Sequence, residues 1–189
     1  MIMENYTDEQ LIVAYLAGEE KFLEILIKRY LKPIYSFACQ YVGNSQEAED
    51  ITQEVFIKAW RSLKKFNQKK SFKTWIFAIA KNTCIDFFKK KKTIPFSNFE
   101  NEEGENELIK TLADTDLLPD KLFERANMAQ TLALAIGELS LKYRMVLLLR
   151  YNNNFTFQEI AKVSREPLNT IKSRYRRALI LLRKLLTES

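Results

Sequence analysis

The chain has 189 residues, 47% of them hydrophobic, a net charge of +6, and only 4 Gly and 4 Pro. That length allows one large or two small domains, and the scarcity of turn-bounded β-branched clusters favours a nearly all-helical fold. There is no histidine, so the commonest general base and metal ligand are both missing; no metal and no cofactor are expected, and the basic excess points to nucleic acid or a membrane surface if the charge clusters.

Thr7 and Gln10 have capping-box spacing and open a helix that should end near Gly18. A second helical pattern runs from Glu19 to Tyr41, with Pro33 predicted to bend or break it. Asn44 and Glu47 form another box, opening an amphipathic helix that reaches about Lys65. After the polar loop FNQKK, Ser71 starts SFKTWIFAIAKNTCIDFFKKKK, which must end before Pro95. The composition then turns acidic from Glu100 to Asp120. Residues 94–121 read as a flexible acidic linker with weak order around Leu108 to Leu112. Helical periodicity returns at Leu122. The organisation is therefore a helical domain over 1–93, the linker, and a second helical domain over 122–189.

The two cysteines, Cys39 and Cys84, lack CxxC-type spacing and read as buried thiols. MIMENYTDEQ is not a secretory signal, and no run of about 18 apolar residues exists to span a membrane. A cytoplasmic protein is expected.

The most specific stretch is FTFQEIAKVSREPLNTIKSRYRRALILLRKLL. Thr156 and Glu159 cap a short helix with Ile160, Ala161 and Val163 inward. SREP turns the chain, and Asn169 is predicted to cap a second helix that carries Ile171, Ala178, Leu179 and Leu182 inward. Lys172, Arg174, Arg176 and Arg177 point elsewhere. This is a helix-turn-helix whose basic second helix suits a major groove. The plainer alternative is a helical hairpin with a solvated charged face.

In EAEDITQEVFIKAWRSLKKF, Ile51, Val55, Phe56 and Ala59 can pack inward, leaving Glu47, Asp50, Gln53 and Glu54 as an acidic outer patch. Paired carboxylates suit acid–base chemistry, but no nucleophile, ligand set or phosphate loop accompanies them. A protein-docking or solvated face fits better.

Three segments, EAEDITQEVFIKAW, SFKTWIFAIAKNTCIDFFKKKK and TIKSRYRRA, in this order and spacing, resemble the bacterial extracytoplasmic-function sigma factors, minimal promoter-specificity subunits of RNA polymerase. The resemblance covers nearly the whole chain outside the linker. It implies that Asp50, Gln53 and Glu54 meet the clamp helices of the polymerase largest subunit. It implies that the loop from Phe66 through Asn67 to Ser71, with Asn82, captures a flipped base of the minus-ten element. It matches Asn169, Thr170, Lys172, Ser173, Arg174, Arg176 and Arg177 to the reader of the minus-thirty-five element. A partner anti-sigma factor is also implied. Three departures stand out. Ser164 and Arg165 occupy positions where an apolar residue and Gly are usual, implying a looser or differently shaped turn. Asn169 replaces a frequent Gly, and Leu139-Ser140 a common Leu-Pro.

At about 100° per residue, Ile76, Phe77, Ala80, Cys84, Phe87 and Phe88 share one face of the Ser71–Lys92 segment, while Trp75, Ile79, Asn82, Asp86 and Lys89 share the opposite stripe. A membrane-surface helix would keep its large apolar residues on one side. An aromatic plane, an amide and terminal cations such as Lys89 and Lys90 suit single-stranded DNA. Alternatively, Trp75 and Ile79 pack on the neighbouring helix. The reading is a transcription initiation factor rather than an enzyme. A stand-alone helix-turn-helix regulator and a DNA-processing enzyme such as a recombinase are its rivals.

Overall fold

The computed structural model describes residues 6–93 and 119–188. All the regular structure among them is helical, so the all-α expectation holds. Helix α1 spans Asp8–Leu16; Thr7 and Gln10 form the complete capping box, and the chain leaves through Gly18 at φ 104°. Asp8 then fixes α1 to the next helix, accepting from Arg29 at 2.6 Å and from the Tyr30 hydroxyl. Burial, and after it the Asp8 hydrogen bond, raises the Tyr30 pKa.

Helix α2 runs unbroken over Lys21–Val42, through Pro33. Of the expected bend or break at Pro33, the break does not occur. Proline removes one hydrogen bond, but the apolar face on both sides of it (Leu26, Tyr30, Ile34, Phe37, Ala38, Tyr41) is buried, and that packing holds the axis together. Gly43 ends the helix in the left-handed region, φ 84°. Helix α3 spans Ser45–Ser62 and continues as one 3-10 turn over Leu63–Lys65. Asn44 caps it as expected, accepting from the Glu47 N–H at 2.9 Å. The reciprocal half of that box is absent, because the Glu47 carboxylate pairs instead with Lys91 at 2.7 Å.

Helix α4, Phe72–Thr93, starts where Ser71 accepts from the Thr74 N–H; Pro95, before which it was expected to end, lies outside the described residues. Ile76, Phe77, Ala80 and Cys84 are fully buried and Phe87 and Phe88 half-buried, so the predicted core face is the core face. Both cysteines are buried and in no disulfide, and burial pushes the Cys84 thiol up to about 12.

The C-terminal helices are α5 (Pro119–Glu138), α6 (Leu141–Leu147), a π-helical turn over Leu148–Asn152, α7 (Phe157–Ser164) and α8 (Leu168–Glu188). Helix α5 begins three residues before Leu122, at a proline, which the first helical position tolerates because its N–H has no partner there. The rest of the acidic segment, including Leu108 to Leu112, falls outside the described residues. Thr156 and Glu159 make the complete capping box of α7. Burial opposes ionisation of Glu159, but hydrogen bonds from Thr156 and the charges of Lys73 and Lys162 outweigh it, and its pKa is lowered.

The two halves pack directly on each other, which the sequence did not disclose. Phe77 of α4 meets Phe155 edge-on at 5.0 Å, and Phe155 is fully buried. Lys73 donates to the Asn153 carbonyl at 2.6 Å and lies 4.5 Å from the Phe155 ring centroid. Arg144 of α6 donates to the last carbonyls of α5 and reaches the Tyr41 carbonyl at the end of α2, 2.6 Å away. One cation thus satisfies the orphan acceptors of two helix C-termini, one from each half.

Candidate nucleic-acid interface and protein-docking patch

Asp50, Gln53 and Glu54 are exposed on the outer side of α3, one helical turn apart, because Ile51, Val55 and Ala59 take the opposite side into the core. They are not equivalent. Glu54 is already paired with Lys58 at 2.7 Å, and Lys58 also donates to Thr83 on α4. The same helix exposes Ile57 and Trp60, at 47% and 56%. The outer surface of α3 is therefore an acidic strip that runs into an apolar one, which suits a protein partner better than solvent.

The stripe of α4 divides in two. Trp75 packs against Phe66 at 4.9 Å and Phe72 at 5.4 Å, and Ile79 is half-buried against the same core. Phe66 is itself only 8% exposed, so this aromatic trio forms a wall of the domain. Asn82, Asp86, Lys89 and Lys90 are exposed, with Asp86 3.7 Å from Lys89. The loop beside the wall is pre-shaped: the Asn67 side chain accepts from the Lys69 N–H at 2.9 Å, an Asx turn that leaves Asn67, Lys69, Lys70 and Ser71 exposed. Together these give an aromatic wall, an exposed amide and a ring of lysines, a set that stacking and phosphate contact can both use.

Helices α7 and α8 form the helix-turn-helix. Ile160, Val163, Ile171 and Ala178 are buried between them and α6, as the pattern required. Asn169 does not cap α8. The helix begins at Leu168, and the first bond runs from the Ile171 N–H to the Pro167 carbonyl, so Asn169 is an exposed first-turn residue. The turn is not loosened by its departures. Arg165 adopts the left-handed conformation that glycine usually supplies there, φ 56° and ψ 45°, at a cost of about 1–2 kcal/mol. Ser164 is buried and donates its hydroxyl to the Met145 sulfur at 3.8 Å. On α8, Lys172, Ser173, Arg176 and Arg177 are exposed and Thr170 half-buried, whereas Arg174 is drawn back to Glu166 at 2.6 Å.

Comparison with known proteins decides what these faces belong to. Residues 26–94 match Sigma-70 region 2 and residues 129–182 match Sigma-70 region 4. The ECF RNA polymerase sigma factor SigW of Bacillus subtilis is 32% identical over 173 residues, which cover 90% of this chain and 92% of SigW. The ECF RNA polymerase sigma-E factor of Escherichia coli is 30% identical over 180 residues, 93% of this chain and 92% of that one.

The chain belongs to the extracytoplasmic-function RNA polymerase sigma factors.

Solved structures share the fold. CnrH, solved with the cytosolic domain of CnrY, superposes with a TM-score of 0.70 at 19% identity, covering 96% of this chain and 98% of that one. The sigma factor RpoE of Bartonella quintana, solved with the anti-sigma factor NepR, gives 0.67 at 22% identity over 88% and 98%. The two matched regions hold the two faces: region 2 contains the α3 strip and the α4 stripe, and region 4 the helix-turn-helix. Among the described residues no helix is long and apolar enough to cross a membrane, and no cluster of acidic or sulfur side chains could hold a metal ion.

Three residues of this sigma factor escaped the sequence. Lys73, Arg144 and Glu166 find their partners 80, 103 and 8 positions away. Only the last carried a local signal, an acid placed where a helix-ending turn usually has an apolar residue.

Proposed function

We propose that this sigma factor acts without chemistry of its own, in the cytoplasm, by docking on core polymerase through α3 and reading two promoter elements through α4 and α8. Asp50, Gln53 and Glu54 meet basic residues of the clamp helices of the largest subunit, with Ile57 and Trp60 as the apolar part of the contact. Asn82 and the loop from Phe66 to Ser71 receive an extruded minus-ten base, and Lys89 and Lys90 hold phosphates nearby. Lys172, Ser173, Arg176 and Arg177 face the minus-thirty-five groove. The observation that carries this reading is that all three surfaces are exposed at once, on helices whose other faces are buried.

The acidic segment is the tether between domains 1–93 and 122–189. Promoter elements about 25 base pairs apart lie roughly 85 Å apart on B-DNA. The 25 residues 94–118 reach about 80–90 Å when extended. Simultaneous reading of both elements therefore separates Phe77 from Phe155. By analogy with RpoE, which was solved with the anti-sigma factor NepR, an anti-sigma protein is a further partner of this chain, and one that clamped both halves would hold them off polymerase. Run-off transcription with purified core polymerase on genomic fragments tests the reading. Discrete promoter-dependent transcripts support it. Binding to promoter DNA without polymerase, and no transcripts with it, would return the chain to a stand-alone regulator.

A further inference from the structure

We propose that Glu166 is a positioning residue for Arg174, and that the pair sets how strictly the upstream promoter element is read. The inference rests on the reading that α8 enters the minus-thirty-five groove.

The turn between α7 and α8 closes by two backbone bonds: the Arg165 N–H donates to the Lys162 carbonyl at 3.3 Å and the Glu166 N–H to the Ala161 carbonyl at 3.1 Å. That is the Schellman pattern, with Arg165 in the left-handed position and Glu166 next. The residue at the Glu166 position ordinarily makes an apolar contact back to its own helix. Here it carries a carboxylate, which crosses to the following helix and lies 2.6 Å from the Arg174 guanidinium. The two side chains are only 24% and 31% exposed, and the contacting oxygen is buried with the cation as its counter-charge, off-line for a hydrogen bond. Lys81 of α4 also feels this carboxylate: burial lowers the Lys81 pKa, and the Glu166 charge opposes that.

A guanidinium has five N–H donors in a rigid fork. Glu166 occupies one terminal nitrogen of Arg174, leaving the other and Nε as a two-pronged donor whose direction is fixed before DNA arrives. Fixing it reduces the entropy lost on binding a base edge. The carboxylate behind it also repels phosphate, so the same pair weakens wrong registers while favouring the right one. Arg176 and Arg177 are exposed, with no carboxylate partner among the described residues, and keep the mobility suited to phosphates.

The test uses the full chain bound to core polymerase, with binding measured on a promoter and on single-base substitutions of its minus-thirty-five element across a salt series. Glu166→Ala should lower discrimination at one base pair by about tenfold. It should also steepen the log–log salt slope by about 0.9, as the released Arg174 takes a phosphate. Glu166→Gln keeps the shape of the side chain but removes the counter-charge, so it should lose discrimination much as Glu166→Ala does. In an Arg174→Ala background, Glu166→Ala should change neither quantity. Arg165→Gly serves as the control for a role through turn geometry, because it relieves the backbone and leaves the pair intact. It should melt no lower than wild type and discriminate as well. The inference is overturned if Glu166→Ala leaves ratio and slope unchanged, or moves them equally when Arg174 is absent. A wild-type complex that discriminates against no minus-thirty-five substitution overturns the upstream reading itself, which separates the two failures.

Discussion

Helices α4 and α8 are of similar length and both carry clusters of cations, yet they are held in opposite ways. Helix α4 is central: it packs on α2, α3 and α7, and even the outward Trp75 is walled in by Phe66 and Phe72. Helix α8 is peripheral. It lies on α5, α6 and α7 along one side, while Ile180 and Leu186 are 69% and 40% exposed. The difference matches the roles proposed for them. A flipped base needs a rigid, dry wall with a few polar groups beside it, and the core supplies the wall. A major groove needs cations projecting from a cylinder, and a helix lying on the surface supplies them.

The largest expected effect breaks the comparison from the side of the core. Phe77→Ala removes a fully buried ring that touches both Phe37 and Phe155, and should cost about 3–5 kcal/mol of stability in urea unfolding. Arg176→Ala on α8 should stay within about 0.5 kcal/mol. Equal losses would mean that α4 is no more central than α8.

Docking comes next in size. Asp50→Lys should weaken binding to core polymerase by about 2–5 kcal/mol if the contact is desolvated, with the melting temperature unchanged. Glu54→Lys should cost core binding too, but it also ejects Lys58 from its ion pair, so part of its effect is local. Titration of labelled polymerase separates the two. Wild-type affinity in a folded Asp50→Lys variant would remove α3 from the interface.

A paired measurement then sharpens the contrast between strand and groove. Asn82→Ala should lose about 1–3 kcal/mol in promoter opening, as one base-edge hydrogen bond goes, and recover much of it on a promoter already mismatched at the minus-ten region. Of Arg176→Ala and Arg177→Ala, one should lose about 1–3 kcal/mol of discrimination at a single base pair and the other mainly about 0.9 of salt slope, with no recovery on the mismatched template. Permanganate reactivity of unpaired thymines reports the first outcome. Wild-type reactivity in the Asn82 variant would make that face purely structural.

The smallest effect is the pH dependence of the α7 cap. The Glu159 pKa is lowered in the folded chain, so its contribution is present above the ordinary value of 4.5 and is lost as pH falls through the lowered one. Glu159→Gln should therefore destabilise the protein by up to about 1 kcal/mol at neutral pH and progressively less below about pH 4.5. A constant difference between the two proteins from pH 7 to pH 3 would show that the charge is immaterial.

Much of this was legible in the chain itself. Thr7–Gln10 and Thr156–Glu159 cap their helices as their spacing demands, because a capping box needs only residues within one turn. The core face of α4 and the inward residues of α7 and α8 follow from the 3.6-residue period. The motifs of α3, α4 and α8 pointed to the family before any contact was known. Two local rules did not settle their elements: α2 is not broken at Pro33, where the flanking apolar face is buried, and Asn169 lies inside the helix it was expected to cap. Contacts between distant residues were decided only by the tertiary structure. Glu47 leaves its own box for Lys91, Trp75 becomes a wall instead of an open platform, Arg144 closes the ends of α5 and α2 together, and Phe155 finds Phe77. Periodicity fixes which side of a helix is apolar, because that depends on neighbours three and four residues away. Which other helix covers that side depends on packing across tens of residues, and no local pattern encodes it.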